Sequence, residues 1–183
     1  MDKILEKTKS HFLKTFTKKK HPIYIYLPKH VAQVERWARK IARGDTIVDK
    51  NILLPSVWLH DIGLVIGNDK SDHAIKSEEE AKRFLKKIGV EPERIKKIAH
   101  CVRAHRCRDI KPTTKEAKVL AVADSISHLT DFNYIVHCQE GEKRYALSKI
   151  ERDYRDIGLF PKLQREITPL YRAWKKLLNV FPD

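Results

Sequence analysis

An all-α fold follows from three features of the sequence. Apolar residues recur at three- and four-residue spacings along most of its length. No segment alternates apolar and polar side chains as a half-buried strand does. The breaks between periodic segments carry helix-ending or helix-starting chemistry at Gly44, Asp72, Gly89, Pro92 and Gly141. With 183 residues and a 42% apolar fraction the chain can build one core. No internal repeat or low-complexity linker marks a boundary, so residues 1–183 read as a single domain.

In chain order, Leu5, Phe12, Leu13 and Phe16 give the first segment an apolar stripe at helical spacing, which suits a helix docked on the core. His30 to Arg43 carries apolar groups at 31, 34, 37, 38 and 41 and stops near Gly44. Asn51 to Gly63 reads as a short apolar helix. Asp72 can cap a helix that runs to Gly89, a position suited to the left-handed residue after a helix end. Pro92 suits the first turn of the next helix, which ends around Cys107. RDIKPTT is a loop, and Thr113 or Thr114 caps the unusually apolar helix KEAKVLAVADSISHLTDF. Gly141 and then GLFP punctuate two further amphipathic helices that reach Val180.

Composition narrows the setting. Cys101, Cys107 and Cys138 are an odd number without C-x-x-C spacing, so neither a disulfide framework nor a thiolate zinc site is indicated. The Lys-rich N-terminus lacks a continuous apolar stretch, and no run of about 18 apolar residues occurs, so a cytoplasmic protein is expected. The formal charge is +14, and residues 1–30 hold eight lysines against Asp2 and Glu6. An anionic partner fits this excess, whether nucleic acid, an anionic lipid surface or a phosphorylated metabolite; so does a solvated lysine-rich surface.

Four periodic segments aim an imidazole or a carboxylate inward. At about 100° per residue, His30 shares a stripe with Val34, Trp37, Ala38 and Ile41. His60 and Asp61 follow Leu53 and Val57; His105 continues Ile95, Ile98 and Val102; Asp124 continues Ala117, Leu120 and Ala121. One inward histidine is ordinarily a hydrogen-bonded core residue. Two inward aspartates with several inward histidines are harder to satisfy pairwise, because an unpaired buried carboxylate is costly. A divalent cation satisfies them together, with imidazole and carboxylate suiting Mn, Fe, Co, Ni or Zn.

His30, then HDIG at 60–63, then His73, His105 and Asp124 resembles the HD superfamily of metal-dependent phosphohydrolases, whose order is H, HD, H, H, D. YLPKHVAQVERWARKIA, SVWLHDIG, DHAIKSEEEAKRFLKKIG, IAHCVRAHR and VLAVADSISHL carry the likeness over about residues 24–131. KRYALSKIERDYRDIGLFPKL resembles the C-terminal helical extension of small stand-alone members, over about residues 142–180. The resemblance implies an all-helical bundle with N- and C-terminal extensions, in which His30, His60, Asp61 and Asp124 match the ligands of a one-metal site. His73 and His105 match the additional histidines of two-metal members, with Asp61 bridging both ions and acting as the central catalytic carboxylate. It further implies two divalent ions and hydrolysis of a nucleotide or other small phosphate ester, monoester or diester, by a metal-bound hydroxide.

Lys76, one turn after His73, and Arg106, beside His105, are candidates to pair with phosphate oxygens. His100 lies about 140° round the helix from His105 and is a candidate for the cavity rim rather than for the same ion. His128, one turn past Asp124, is a candidate support for that residue, whereas His11, His21 and His137 read as structural or surface residues. Leu64 after HDIG and the lack of Gly-Tyr-Pro after His105 argue against the cyclic-di-GMP phosphodiesterase branch. No Glu-Asp pair follows HDIG shortly, which weakens an alarmone hydrolase reading. Two alternatives stand beside the phosphohydrolase: a di-iron oxygenase with the same ligand set, and a non-enzymatic regulatory protein that binds nucleic acid through the basic N-terminal segment.

Overall fold

The computed structural model of the chain describes residues 3–18, 26–66 and 72–182. His21 and most of the loop 64–72 lie outside the described residues. Among those described there is no strand, and nine α-helices follow one another: α1 (Lys3–Lys18), α2 (Leu27–Ile41), α3 (Lys50–Leu59), α4 (His73–Lys87), α5 (Pro92–Ala104), α6 (Lys115–Leu129), α7 (Asn133–Gln139), α8 (Lys143–Ile157) and α9 (Pro161–Val180). The all-α expectation holds. None of these helices is long and apolar enough to cross a membrane. The chain divides into two compact units, Met1–Ala121 and Val122–Asp183, and the division falls inside the unbroken α6.

In the first unit α3 is the central helix. Every residue from Ile52 to Leu59 is buried, and α1, α2 and α5 all pack on it. Asp49 caps its start by accepting the amide of Asn51. Pro55, inside the helix, has no N–H to give to the Asn51 carbonyl one turn back; Nη2 of Arg94 on α5 donates to that carbonyl at 2.8 Å, so it is not left bare. α4 and α5 pack together, joined through Gly89 at φ +78, where the amides of Gly89 and Val90 close the end of α4 on Lys86 and Leu85.

The basic first helix docks on this core. Leu5 and Phe12 are buried, and the Phe12 ring meets Trp58 edge-on at 5.6 Å, whereas Leu13 of the same stripe stays 42% exposed. Two carboxylates anchor it. Glu35 accepts from Trp58 Nε1 at 2.6 Å and pairs with Lys9 at 3.1 Å; Glu80 meets His11 at 2.7 Å, whose ring stacks on Phe84. Burial alone would raise both carboxyls. Trp58, Arg39 and Lys9 at Glu35, and His11 and Arg83 at Glu80, hold them below the ordinary 4.5. With a folded pKa below the unfolded one, the stabilisation is complete above pH 4.5 and is lost as pH falls through the lower folded values. Urea midpoints should therefore drop progressively below that pH, and Glu35→Gln should lower the midpoint at neutral pH while flattening the acid slope.

In the second unit α8 packs on α7 and α9. Its buried residues are Ala146, Ile150, Asp153, Asp156 and Ile157. Trp174 on α9 donates to the Leu129 carbonyl at 2.7 Å and meets the Tyr134 ring edge-on.

Two sequence-based boundaries shift. The helix expected over 51–63 ends at Leu59 and gives way to a 3₁₀ turn at 62–64, and the helix expected through Phe132 ends at Leu129. At the second break the Asp131 side chain accepts the Asn133 amide at 2.7 Å, and this local turn starts a separate short helix, α7, that the periodicity did not reveal.

Candidate metal centre

His60 and His105 each follow the last residue of a helix, α3 and α5 respectively, in helical backbone conformation. Each turns its ring back on its own helix. His60 Nδ1 lies 2.6 Å from the Val57 carbonyl and His105 Nδ1 lies 2.7 Å from that of Val102. Those are the carbonyls that a continuing helix would offer to the amides of Asp61 and Arg106. A carbonyl can only accept, so Nδ1 carries a proton on both rings, and on a neutral ring Nε2 presents its lone pair on the other side.

Both Nε2 atoms face Asp61. This carboxylate is buried in the turn after α3, with two histidines on each oxygen. Oδ1 lies 3.3 Å from His73 Nε2 and 3.6 Å from His105 Nε2. Oδ2 lies 3.4 Å from His60 Nε2 and 3.7 Å from His30 Nε2. The Nε2 atoms of His73 and His105 are 3.4 Å apart. His30 comes from the first turn of α2 and His73 from the first residue of α4. Burial would raise the Asp61 carboxyl, but the imidazoles of His60 and then His73, when they carry positive charge, hold it well below the usual carboxylate range.

When the rings are neutral, lone pairs converging on carboxylate oxygens repel unless a cation lies between them. Atoms bound to one first-row ion at about 2.0–2.2 Å stand roughly 3–3.5 Å apart, close to the spacings around Asp61. The donor set of imidazole nitrogen and carboxylate oxygen therefore fits a borderline divalent cation. Asp61, His73 and His105 present ligand atoms that all lie within 4.8 Å of one another. Thiolate is absent from the set: burial pushes the Cys101 thiol up to about 12.

Gly63 of HDIG is where α4 comes closest. Its amide donates to Ser77 Oγ at 2.8 Å, and a Cβ there would overlap the His73 carbonyl oxygen and lie 2.8 Å from Ser77 N. The glycine lets the turn carrying Asp61 and the helix carrying His73 approach this closely.

A family model described as HD domain matches residues 29–129, more than half of the chain. The chain belongs to the HD domain family. HD domains are generally metal-dependent hydrolases, and the histidine and aspartate groups of this HD protein are of the kind that can hold a metal ion. No curated protein and no solved structure matches it.

The structure thus gathers His30, His60, Asp61, His73 and His105 of the expected set. Asp124, the remaining carboxylate, lies on α6 within the second unit; it is buried, with Oδ1 3.6 Å from His128 Nε2 one turn later. Of the candidates for substrate contact, Arg106 pairs through Nη1 with Asp72 Oδ2 at 2.5 Å, while Asp72 also caps α4 directly before His73. Lys76 is half-buried on α4. His100 turns away from His105 toward the next loop, where Thr113 meets its Nε2 through both the amide, at 3.2 Å, and the hydroxyl, at 2.9 Å.

Sequence reasoning missed the Arg106–Asp72 pair and a buried polar cluster around His128. The signal for the second was present. Asp153 occupies one position of the Ala146, Ile150, Asp153, Ile157 stripe, where an apolar residue is the ordinary choice.

Proposed function

We propose that this HD-domain protein is a metal-dependent phosphohydrolase that cleaves a nucleotide or another small phosphate ester, monoester or diester. The observation that carries the reading is Asp61, a buried carboxylate with two imidazole nitrogens on each oxygen. That arrangement suits a carboxylate shared between two ions, with His30 and His60 on one side and His73 and His105 on the other. Asp124 is assigned to the His30 and His60 side on its burial and its place in the H, HD, H, H, D order. Divalent ions held there would supply positive charge for an anionic ester and would acidify water.

The chain's own residues supply the rest. The carbonyls of Val57 and Val102 fix the tautomer and direction of His60 and His105, so the donor atoms are preorganised. Arg106 pairs with Asp72, the residue before His73; in this reading an incoming phosphate would compete with that carboxylate for the guanidinium. Lys76, one turn into α4, adds a second cation on the same helix.

Protein stripped with chelator and reloaded with Mn, Co, Ni, Zn or Mg should hydrolyse at least one member of a panel of nucleotides, cyclic nucleotides and simple aryl phosphates. The stripped protein should be inactive. Failure with every ion, together with oxygen consumption by the iron-loaded protein or salt-sensitive nucleic-acid binding that ignores Asp61, would overturn the proposal.

A further inference from the structure

The mechanism above leaves unused a buried polar cluster in the second unit. His128 on α6 presents Nε2 to Asp124 Oδ1 at 3.6 Å and Nδ1 to Asp153 Oδ2 at 3.3 Å. Lys149 Nζ lies 3.0 Å from His128 Nδ1 and 3.2 Å from Asp153 Oδ2. The Tyr134 hydroxyl donates to the same Asp153 oxygen at 2.7 Å. Asp124, His128, Tyr134 and Asp153 are all buried.

Such a cluster is expensive. Apolar residues of similar volume would give equal or greater stability than a buried network of charges, and the neighbouring stripe positions Ala146, Ile150 and Ile157 are apolar. What the polar groups do provide is direction. An ammonium can only donate, so Lys149 facing Nδ1 leaves the proton of a neutral His128 on Nε2, toward Asp124. Were the ring to carry both protons, with Asp153 accepting from Nδ1, Nε2–H would still face Asp124. In both of these states one oxygen of Asp124 faces an N–H of His128.

We propose that His128, set by Lys149 and Asp153 with Tyr134 behind them, is a positioning residue that orients the Asp124 carboxylate for cation binding. This rests on the assignment of Asp124 as a ligand in the proposed function. Carboxylates and carbonyls behind ligands commonly change metal affinity about tenfold to a hundredfold when removed, and the same scale is expected here.

The test is a Mn²⁺ titration of chelator-stripped full-length protein, read by calorimetry and by electron paramagnetic resonance of the free ion, beside melting curves of the metal-free forms. His128→Leu should weaken Mn²⁺ binding by about tenfold to a hundredfold. His128→Gln, whose amide can still donate toward Asp124, should recover most of it. A merely structural role would lower the metal-free melting temperature and leave the affinity of the folded fraction unchanged, and that result overturns the proposal. If His128→Leu does not fold, Asp153→Asn decides. It leaves the Lys149 charge unbalanced beside His128 and should weaken binding by about tenfold; wild-type affinity in that folded variant overturns the proposal. Absence of Mn²⁺ binding by the wild-type chain would instead overturn the metal-centre reading on which the proposal stands.

Discussion

Asp61→Ala should reduce phosphate-ester turnover by about a thousandfold, the upper end of what a single preorganised electrostatic group contributes, while the helical fold survives. Asp61 meets all four imidazoles His30, His60, His73 and His105, so its loss removes the link between the two histidine pairs at once. The fold should tolerate this. Both His60 and His105 give Nδ1–H to a backbone carbonyl, so neither ring depends on Asp61 for its place. Circular dichroism of the stripped variant should show wild-type helicity. A folded, fully active Asp61→Ala protein would remove the basis of the proposed function.

Gly63→Ala should be the most damaging single-methyl change in the site. The new Cβ would overlap the backbone carbonyl oxygen of His73 and crowd Ser77 N and Oγ, which the Gly63 amide currently engages. Two of these three atoms belong to the backbone, so relief requires shifting the start of α4, and His73 with it. Overpacking of this kind costs about 1–3 kcal/mol, which for a chain of this size corresponds to roughly 3–10 °C in melting temperature. The loss should also be local in function: cation binding through His73 and His105 should weaken more than binding through His30 and His60. Gly44→Ala is the control. A Cβ there meets nothing within 4 Å, and only the φ of +77 is strained, so its cost should be about 1 kcal/mol with cation binding unchanged.

Much of this was legible in the sequence because helices carry their own punctuation. Asp72, Glu91 with Pro92, and Gly89 mark helix ends by local chemistry, and each does so in the structure. The inward direction of His30 followed from a stripe on one continuous helix. His60 and Asp61 came to the interior by another route: α3 ends at Leu59, and the His60 side chain folds back on the Val57 carbonyl, as His105 does on Val102. Periodicity cannot report such a device, because it describes residues inside a helix and these two histidines stand just past one. Arg106 and Asp72 are 34 residues apart, and no local rule links them. Asp153 was readable in principle as a charged residue in an apolar stripe, but its partners His128 and Tyr134 lie on other helices.

The central claim is that Asp61 stands between two cation positions. Crystals of protein purified without chelator and loaded with Mn²⁺, with anomalous data collected near the manganese edge, test it most directly. The expected result is two anomalous peaks, one against Asp61 Oδ1 with His73 and His105 and one against Oδ2 with His30 and His60. A fully loaded crystal with a single peak, and with His73 and His105 hydrogen-bonded elsewhere, would contradict it.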